Sequence, residues 1–370
     1  MAGVNPVVLI QLLQQYSHPE DFVATGRGRT FTFNRNHRTF VHRESLEEIS
    51  KRKSYLPSHT TYMAANKIRD ILRKSLSGRL GKVYIDTSMT KIAVPIDIST
   101  GNSGYGVLPT GSRISIPDGK FVRAFTYWEK VNDIDLSCFA LDSDFNQIEF
   151  SWRTMSQNQS SYLTFSGDQT SGFNGGSEYF DINIDEMRHK NPNYRYIVFC
   201  NNVYSGAKFN TCICKAGFMV RETQNLTKWK GERTAPSAGP QAVIFDPKTV
   251  QTSFTIDSDS TFAYLFAIDL EKREMIWLNK ARSDNTRVAG STSMDFLKKY
   301  FEVTSVFNVA DLYNYASSSI VSDPSEADVI VSDRDFYTNA YGIMVSLDSN
   351  KEIVHSWDFD KMLDLLQPAS

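Results

Sequence analysis

Between Phe121 and Arg221 the chain alternates in side-chain character at period two. Ile134, Leu136, Cys138 and Ala140 fall on one face of a stretch whose other face holds Asp135, Ser137 and Phe139. Phe180, Ile182 and Ile184 likewise oppose Tyr179, Asp181 and Asn183. That alternation is the pattern of half-buried antiparallel strands. Acidic residues stand where these strands begin and end. The expectation is a mainly β chain: an antiparallel β-sandwich with an acidic rim, an N-terminal helical region and a C-terminal α+β unit.

With 370 residues, two or three units are expected around that core. We divide the chain into a basic, mostly helical head (1–80), a β-sandwich (81–280) and a small α+β tail (281–370). In the head, residues 5–15 read as a helix with Asn5 as cap and Pro6 at its first position. A second short helix is expected from His18 to Asp21 and a third from Glu44 to Lys53. Tyr62 to Leu76 carries Ile68, Ile71, Leu72 and Leu76 at helical spacing, and Gly78 stops it. Arg27 to His42 reads as a hairpin around Asn34-Arg35-Asn36. The segments 82–88 and 90–99 read as strands, and Arg113 to Pro117 re-enters the sheet. Residues 242–247 and 252–256 are expected as short strands, and Phe262 to Leu278 as a hairpin turning near Glu271-Lys272. In the tail, Ser293–Phe301 and Val309–Ala316 read as helices and Ala327–Ser332 as a buried strand. Tyr341–Leu347 and Glu352–Trp357 read as a hairpin, and Asp358 caps a closing helix.

Net charge is −2, but it is unevenly spread. Residues 1–85 hold 14 Lys/Arg against 6 Asp/Glu, a balance of +8; the remainder holds 26 against 36, a balance of −10. A basic head on an acidic body suggests docking between subunits or contact with a polyanion. No run of apolar residues is long enough to span a membrane. No secretory leader is recognisable, so a cytoplasmic location is expected. Cys138, Cys200, Cys212 and Cys214 all fall in expected strands without zinc-site spacing, and read as free, reduced thiols.

Two groups of residues carry possible chemistry. Asp133 and Asp135 share one side of a strand start, and Asp168 and Glu178 flank a glycine-rich loop that also holds Asn174. Hard cations such as calcium take six to eight oxygens at about 2.3–2.6 Å. Loops converging at one end of a sandwich would supply them from Asp133, Asp135, Asp168 and Glu178, with Asn174 as a weaker fifth. In the head, Arg27, Arg29, Arg35, Arg38 and Arg43 are interleaved with Phe31, Phe33 and Phe40. Cations holding phosphates beside stacking rings suit nucleic acid, which is the alternative reading. No enzyme motif is present: the six histidines are scattered, and Gly101-Asn-Ser-Gly104-Tyr-Gly106 has the wrong order for a dinucleotide turn.

The stretch 120–221 resembles the TerD family of tellurium-resistance and stress-response proteins. Asp133-Ile-Asp135-Leu136 is similar to that family's Asp-x-Asp-Leu-Asp strand. Gly167-Asp168, Gly172 and Glu178 are similar to its Gly-Asp-Asn…Gly…Gly-Asp-Asp-Glu loop, and Asp181-Ile-Asn-Ile and the Gly206–Phe209 turn follow. Ser137 stands where the third strand Asp is expected, Gln169 where the loop Asn is, and Gly176-Ser177 where two residues of the acidic run are. The resemblance extends more loosely over 55–335, as in longer TerD-type proteins. It implies a two-sheet sandwich that binds calcium at its acidic rim. It also implies a non-enzymatic protein of stress, tellurite-resistance or phage-defence systems. Such proteins partner with other members of the system or with themselves, in the cytoplasm or beside the inner membrane.

Overall fold

A computed structural model describes residues 4–18, 28–33, 38–43, 58–96, 108–155, 160–204, 207–223, 252–282 and 297–368, with Ser45, Glu47 and Met294 as single positions. The first elements are α1 (Pro6–Ser17), β1 (Gly28–Phe33), β2 (Arg38–Arg43), α2 (Ser58–Leu76) and β3 (Leu80–Ile85). There follow β4 (Arg113–Ser115), β5 (Phe121–Glu129), β6 (Ile134–Leu141), β7 (Gln147–Phe150), β8 (Leu163–Phe165) and β9 (Gly176–Ile182). Next come α3 (Ile184–Lys190), β10 (Tyr196–Val203), β11 (Ile213–Arg221), β12 (Thr252–Thr255), β13 (Phe262–Asp269) and β14 (Glu274–Arg282). The chain ends with α4 (Lys298–Val306), α5 (Val309–Ala316), β15 (Ser317–Ile320), β16 (Val329–Val331), β17 (Phe336–Thr338), β18 (Met344–Ser346), β19 (Glu352–Val354) and α6 (Phe359–Leu365).

Strands and helices both make up large parts of the described residues, so the chain is mixed α+β rather than mainly β. The largest sheet has the order β1-β2-β14-β13-β10-β6-β7, with β4 also on β14. A five-stranded antiparallel sheet runs β12-β11-β5-β9-β8. Both give side chains to one apolar core: Val122, Trp128, Phe180 and Phe218 from the smaller sheet meet Leu136, Phe199, Phe266 and Trp277 from the larger. Asn201 of β10 crosses this core and donates through Nδ2 to Thr126 Oγ1 of β5 at 2.8 Å.

The half-buried expectation fails for β6, which is buried along its whole length. The reason is a further layer. Phe139, Leu141, Val198, Tyr264 and Leu278 on the far face of the large sheet pack under Met294, Leu297, Tyr300 and Phe301. Arg113 fastens that layer: Nη2 donates to Phe301 O at 2.6 Å, while Nη1 donates to Asp269 Oδ2 and Glu274 Oε2, both at 3.1 Å. Asp269 is buried and also accepts from Arg195 Nη2 at 3.0 Å.

The division at residues 80 and 281 does not follow the packing. Leu9, Leu13, Ile68 and Leu72 of the head share one core with Val83, Leu312, Val331, Val354 and Met362. At its centre is a parallel sheet of order β15-β3-β16-β19, which joins a strand from before the sandwich to three from after it. The sandwich is thus inserted between parts of one α/β body. Period-two patterning does not reveal a parallel sheet built from short, distant segments.

Several local expectations are met. In α1, Asn5 Oδ1 accepts the Val7 N–H at 2.8 Å as the cap. β13 and β14 form the expected hairpin, turning between Asp269 and Glu274, and β13 pairs with β10. β1 and β2 form the basic hairpin, with Phe31 opposite Phe40. Others are corrected. Of the expected strand at 90–99 the described part, 90–96, is not a strand: the Asp86 side chain accepts the Ser88 N–H at 2.8 Å and caps a 3-10 turn over Thr87–Lys91. Ile184 does not extend β9, because Asn183 Oδ1 accepts the Glu186 N–H at 3.0 Å and starts α3. Tyr341–Leu347 does not pair with Glu352–Trp357; β18 pairs with β17 around Asn339–Gly342, and β19 joins β16 in parallel. In α6 the Asp358 side chain makes no capping bond and instead accepts the His355 N–H. Cys212 precedes β11 rather than lying in it, and the four cysteines are free. The expected helices at 19–21 and 48–53, the strand at 242–247 and Gly206 lie outside the described residues. No helix among the described residues is long and apolar enough to cross a membrane.

Candidate metal centre

The β5–β6 turn and the β8–β9 loop meet at one end of the two sheets. Backbone bonds tie them together: Gly172 N–H donates to Asn132 O and Lys130 N–H to Phe173 O, both at 2.7 Å. The loop closes on the Trp128 ring. A Cβ on Gly172 would lie 2.3 Å from Trp128 Nε1, and one on Gly176 2.5 Å from Cε2, so both positions require glycine. Gly167, at φ 106°, turns the chain in the left-handed region just before Asp168.

These turns bring Asp133, Asp135 and Asp168 together. One oxygen from each lies within 4.8 Å of the others, and all three residues are buried. Two ligands of one calcium ion are at most twice the metal–oxygen distance apart, about 5 Å. The cluster could therefore hold a metal ion. Asp133 is 7% exposed, and its buried Oδ1 has no hydrogen-bond partner. A buried carboxylate oxygen left unbonded is costly, and a cation satisfies it. Burial first, then the charges of Asp135 and Asp168, push the Asp133 pKa up to about 7. Asp135 Oδ2 accepts from Asn202 Nδ2 at 3.3 Å, across the β6–β10 pairing.

Glu178 makes backbone contacts that its expected ligand role does not include. It is fully buried, and both its oxygens serve backbone donors. Oε2 accepts the Leu136 N–H at 2.8 Å and Oε1 accepts the Gln169 N–H at 3.0 Å. It clamps the strand carrying Asp135 to the loop carrying Asp168. Burial, with Asp135 and Asp168 nearby, holds its pKa well above the usual range against those two bonds. Asn174 is exposed on the turn that Gly175 N–H closes to Gly172 O. Gln169, where the TerD pattern has Asn, accepts the Ser177 N–H through Oε1 at 3.1 Å, so two departures from the pattern bond to each other.

Asn202 was missed by sequence reasoning. Its signal was the pair Asn201-Asn202 in the otherwise apolar strand Tyr196–Val203. Of the basic residues in the alternative reading, Arg29, Arg38 and Arg43 lie in the β1–β2 hairpin, opposite His42, Phe33 and Gly28. Arg27 and Arg35 lie outside the described residues. No protein-family profile, curated protein or solved structure matches the chain.

Proposed function

We propose that this protein is a non-enzymatic, TerD-like binding and scaffolding protein whose sandwich rim takes up one calcium ion. The observation that carries the reading is the convergence of Asp133, Asp135 and Asp168, with the Asp133 Oδ1 buried and unbonded. Oxygen donors alone favour a hard cation over zinc or copper. The donors come from two turns held by Glu178, so ion uptake and loop position are coupled. The two stacked sheets and the Asp133-Ile-Asp135-Leu136 and Gly167-Asp168 motifs support the TerD-like reading.

In this reading the ion has no substrate to polarise. It neutralises carboxylates that otherwise repel one another and so stiffens the rim as a docking platform. The protein works in the cytoplasm, in a stress, tellurite-resistance or phage-defence system, beside other proteins of that system or further copies of itself. Thermal melting with added calcium, magnesium or manganese tests the cation half. Calcium is expected to raise the midpoint at micromolar to millimolar levels, and melting unchanged by all three ions would overturn it.

A further inference from the structure

The β17–β18 hairpin is a two-stranded sheet that pairs with no other described strand. Its turn is well closed: Asn339 N–H donates to Ile343 O at 2.9 Å, and Asn339 Oδ1 accepts from Tyr341 and Ile343 N–H at 3.0 Å. Tyr337 turns back toward the body, its ring 6.4 Å from Tyr84 and its hydroxyl donating to Asp323 at 3.2 Å. The outward side exposes large apolar side chains among Thr338 and Ser346. Phe336, Tyr341, Ile343 and Met344 are exposed, at 88% for Tyr341 and 72% for Met344, and Trp357 stands exposed after β19. Lone hairpins are marginal in water, and an ordered one showing aromatic and aliphatic side chains marks an interaction surface.

Charge says what covers it. Residues 321–370 hold 10 Asp/Glu against 3 Lys/Arg, a balance of −7. A second hairpin would bring −7 against −7. The complementary surface lies elsewhere on this chain. On its exposed side α2 carries Tyr62 and Met63, then Lys67, Asp70, Arg73 and Lys74, a local balance of +2 within the +8 head. One surface exposes apolar side chains within an acidic setting; the other exposes apolar side chains followed by a net basic stretch. Both are exposed in the single chain.

We infer that the β17–β18 hairpin of one copy docks on the outer face of α2 of a second copy. The contact joins unlike surfaces, so it is heterologous and allows chains or closed rings to grow. It names the partner for the scaffolding half of the proposed function and rests on that half; the cation site is not involved.

Sedimentation velocity on the full chain over a concentration series, with chelator present, tests it. The parent is expected to self-associate, more weakly at about 0.5 M than at about 0.05 M salt. Tyr341→Ser with Met344→Ser, and separately Lys67→Glu with Lys74→Glu, are each expected to weaken self-association about tenfold or more. All four positions are exposed, and unchanged melting verifies the fold of both variants. The decisive step mixes the two variants. The first retains α2 and the second retains the hairpin, so the mixture is expected to recover a one-to-one pair of parental strength. A parent that stays monomeric overturns the inference. So does association insensitive to the α2 charge reversal, a mixture that does not recover, or a monomer that binds neutral phospholipid vesicles through the hairpin. Calcium uptake by the same variants reads the cation site separately.

Discussion

Glu178 Oε2 accepts the Leu136 N–H at 2.8 Å, so a buried carboxyl of β9 holds the start of β6 one residue beyond Asp135. Its other oxygen holds the loop that carries Asp168. Glu178→Ala would strip the buried Leu136 N–H of its acceptor, at about 1–3 kcal/mol, and the part-buried Gln169 N–H of its own at less. We expect a loss of about 2–4 kcal/mol in urea unfolding, with calcium affinity falling because the two turns separate. Glu178→Gln keeps one acceptor and is expected to lose about half as much.

The raised Asp133 pKa sets a pH dependence in the calcium-free protein. In the unfolded chain this carboxyl titrates near 3.9, and in the fold at about 7. A carboxyl raised on folding costs nothing below the unfolded value. Stability falls as pH climbs between the two and levels off above about 7. At about 1.4 kcal/mol per unit the penalty is a few kcal/mol. Asp133→Asn with chelator is therefore expected to be more stable than the parent at pH 8 and little different at pH 4. Added calcium should shift the order at pH 8 toward the parent, since the parent binds it more tightly and gains more. Urea midpoints at the two pH values check this.

Arg113 ties the large sheet to α4 through Asp269, Glu274 and Phe301 O. Removing one partner of a buried ion pair leaves the other charge uncompensated, which costs about 3–5 kcal/mol. Arg113→Met is expected to lose that much, and hydrogen exchange should rise in 294–306 before the smaller sheet responds. The proposed cation site lies at other turns, so its affinity should hold.

What the sequence reveals here is what periodicity encodes. Alternation over Phe121–Arg221 locates β5, β6, β9, β10 and β11, and turn residues place the β13–β14 hairpin. The meeting of Asp133 with Asp168 follows from that topology, because one stands just before β6 and the other in the β8–β9 loop at the same end of the sheets. Burial of the second face of β6 does not, since its cover comes from Tyr300 and Phe301, more than 150 residues on. Nor does the parallel sheet, in which β3 and β16 pair across the inserted sandwich. Glu178 looks like a ligand in one dimension. Only the positions of the Leu136 and Gln169 N–H groups show that its oxygens are engaged.

Asp133, Asp135 and Asp168 are proposed to hold one calcium ion. Equilibrium dialysis against labelled calcium at pH 8 measures it directly, on the parent and on Asp133→Asn, with the variant's fold verified by its melting. About one ion per parent chain is expected, with affinity at least tenfold weaker in the variant. No retained calcium in the parent, or equal uptake by both proteins, would contradict it.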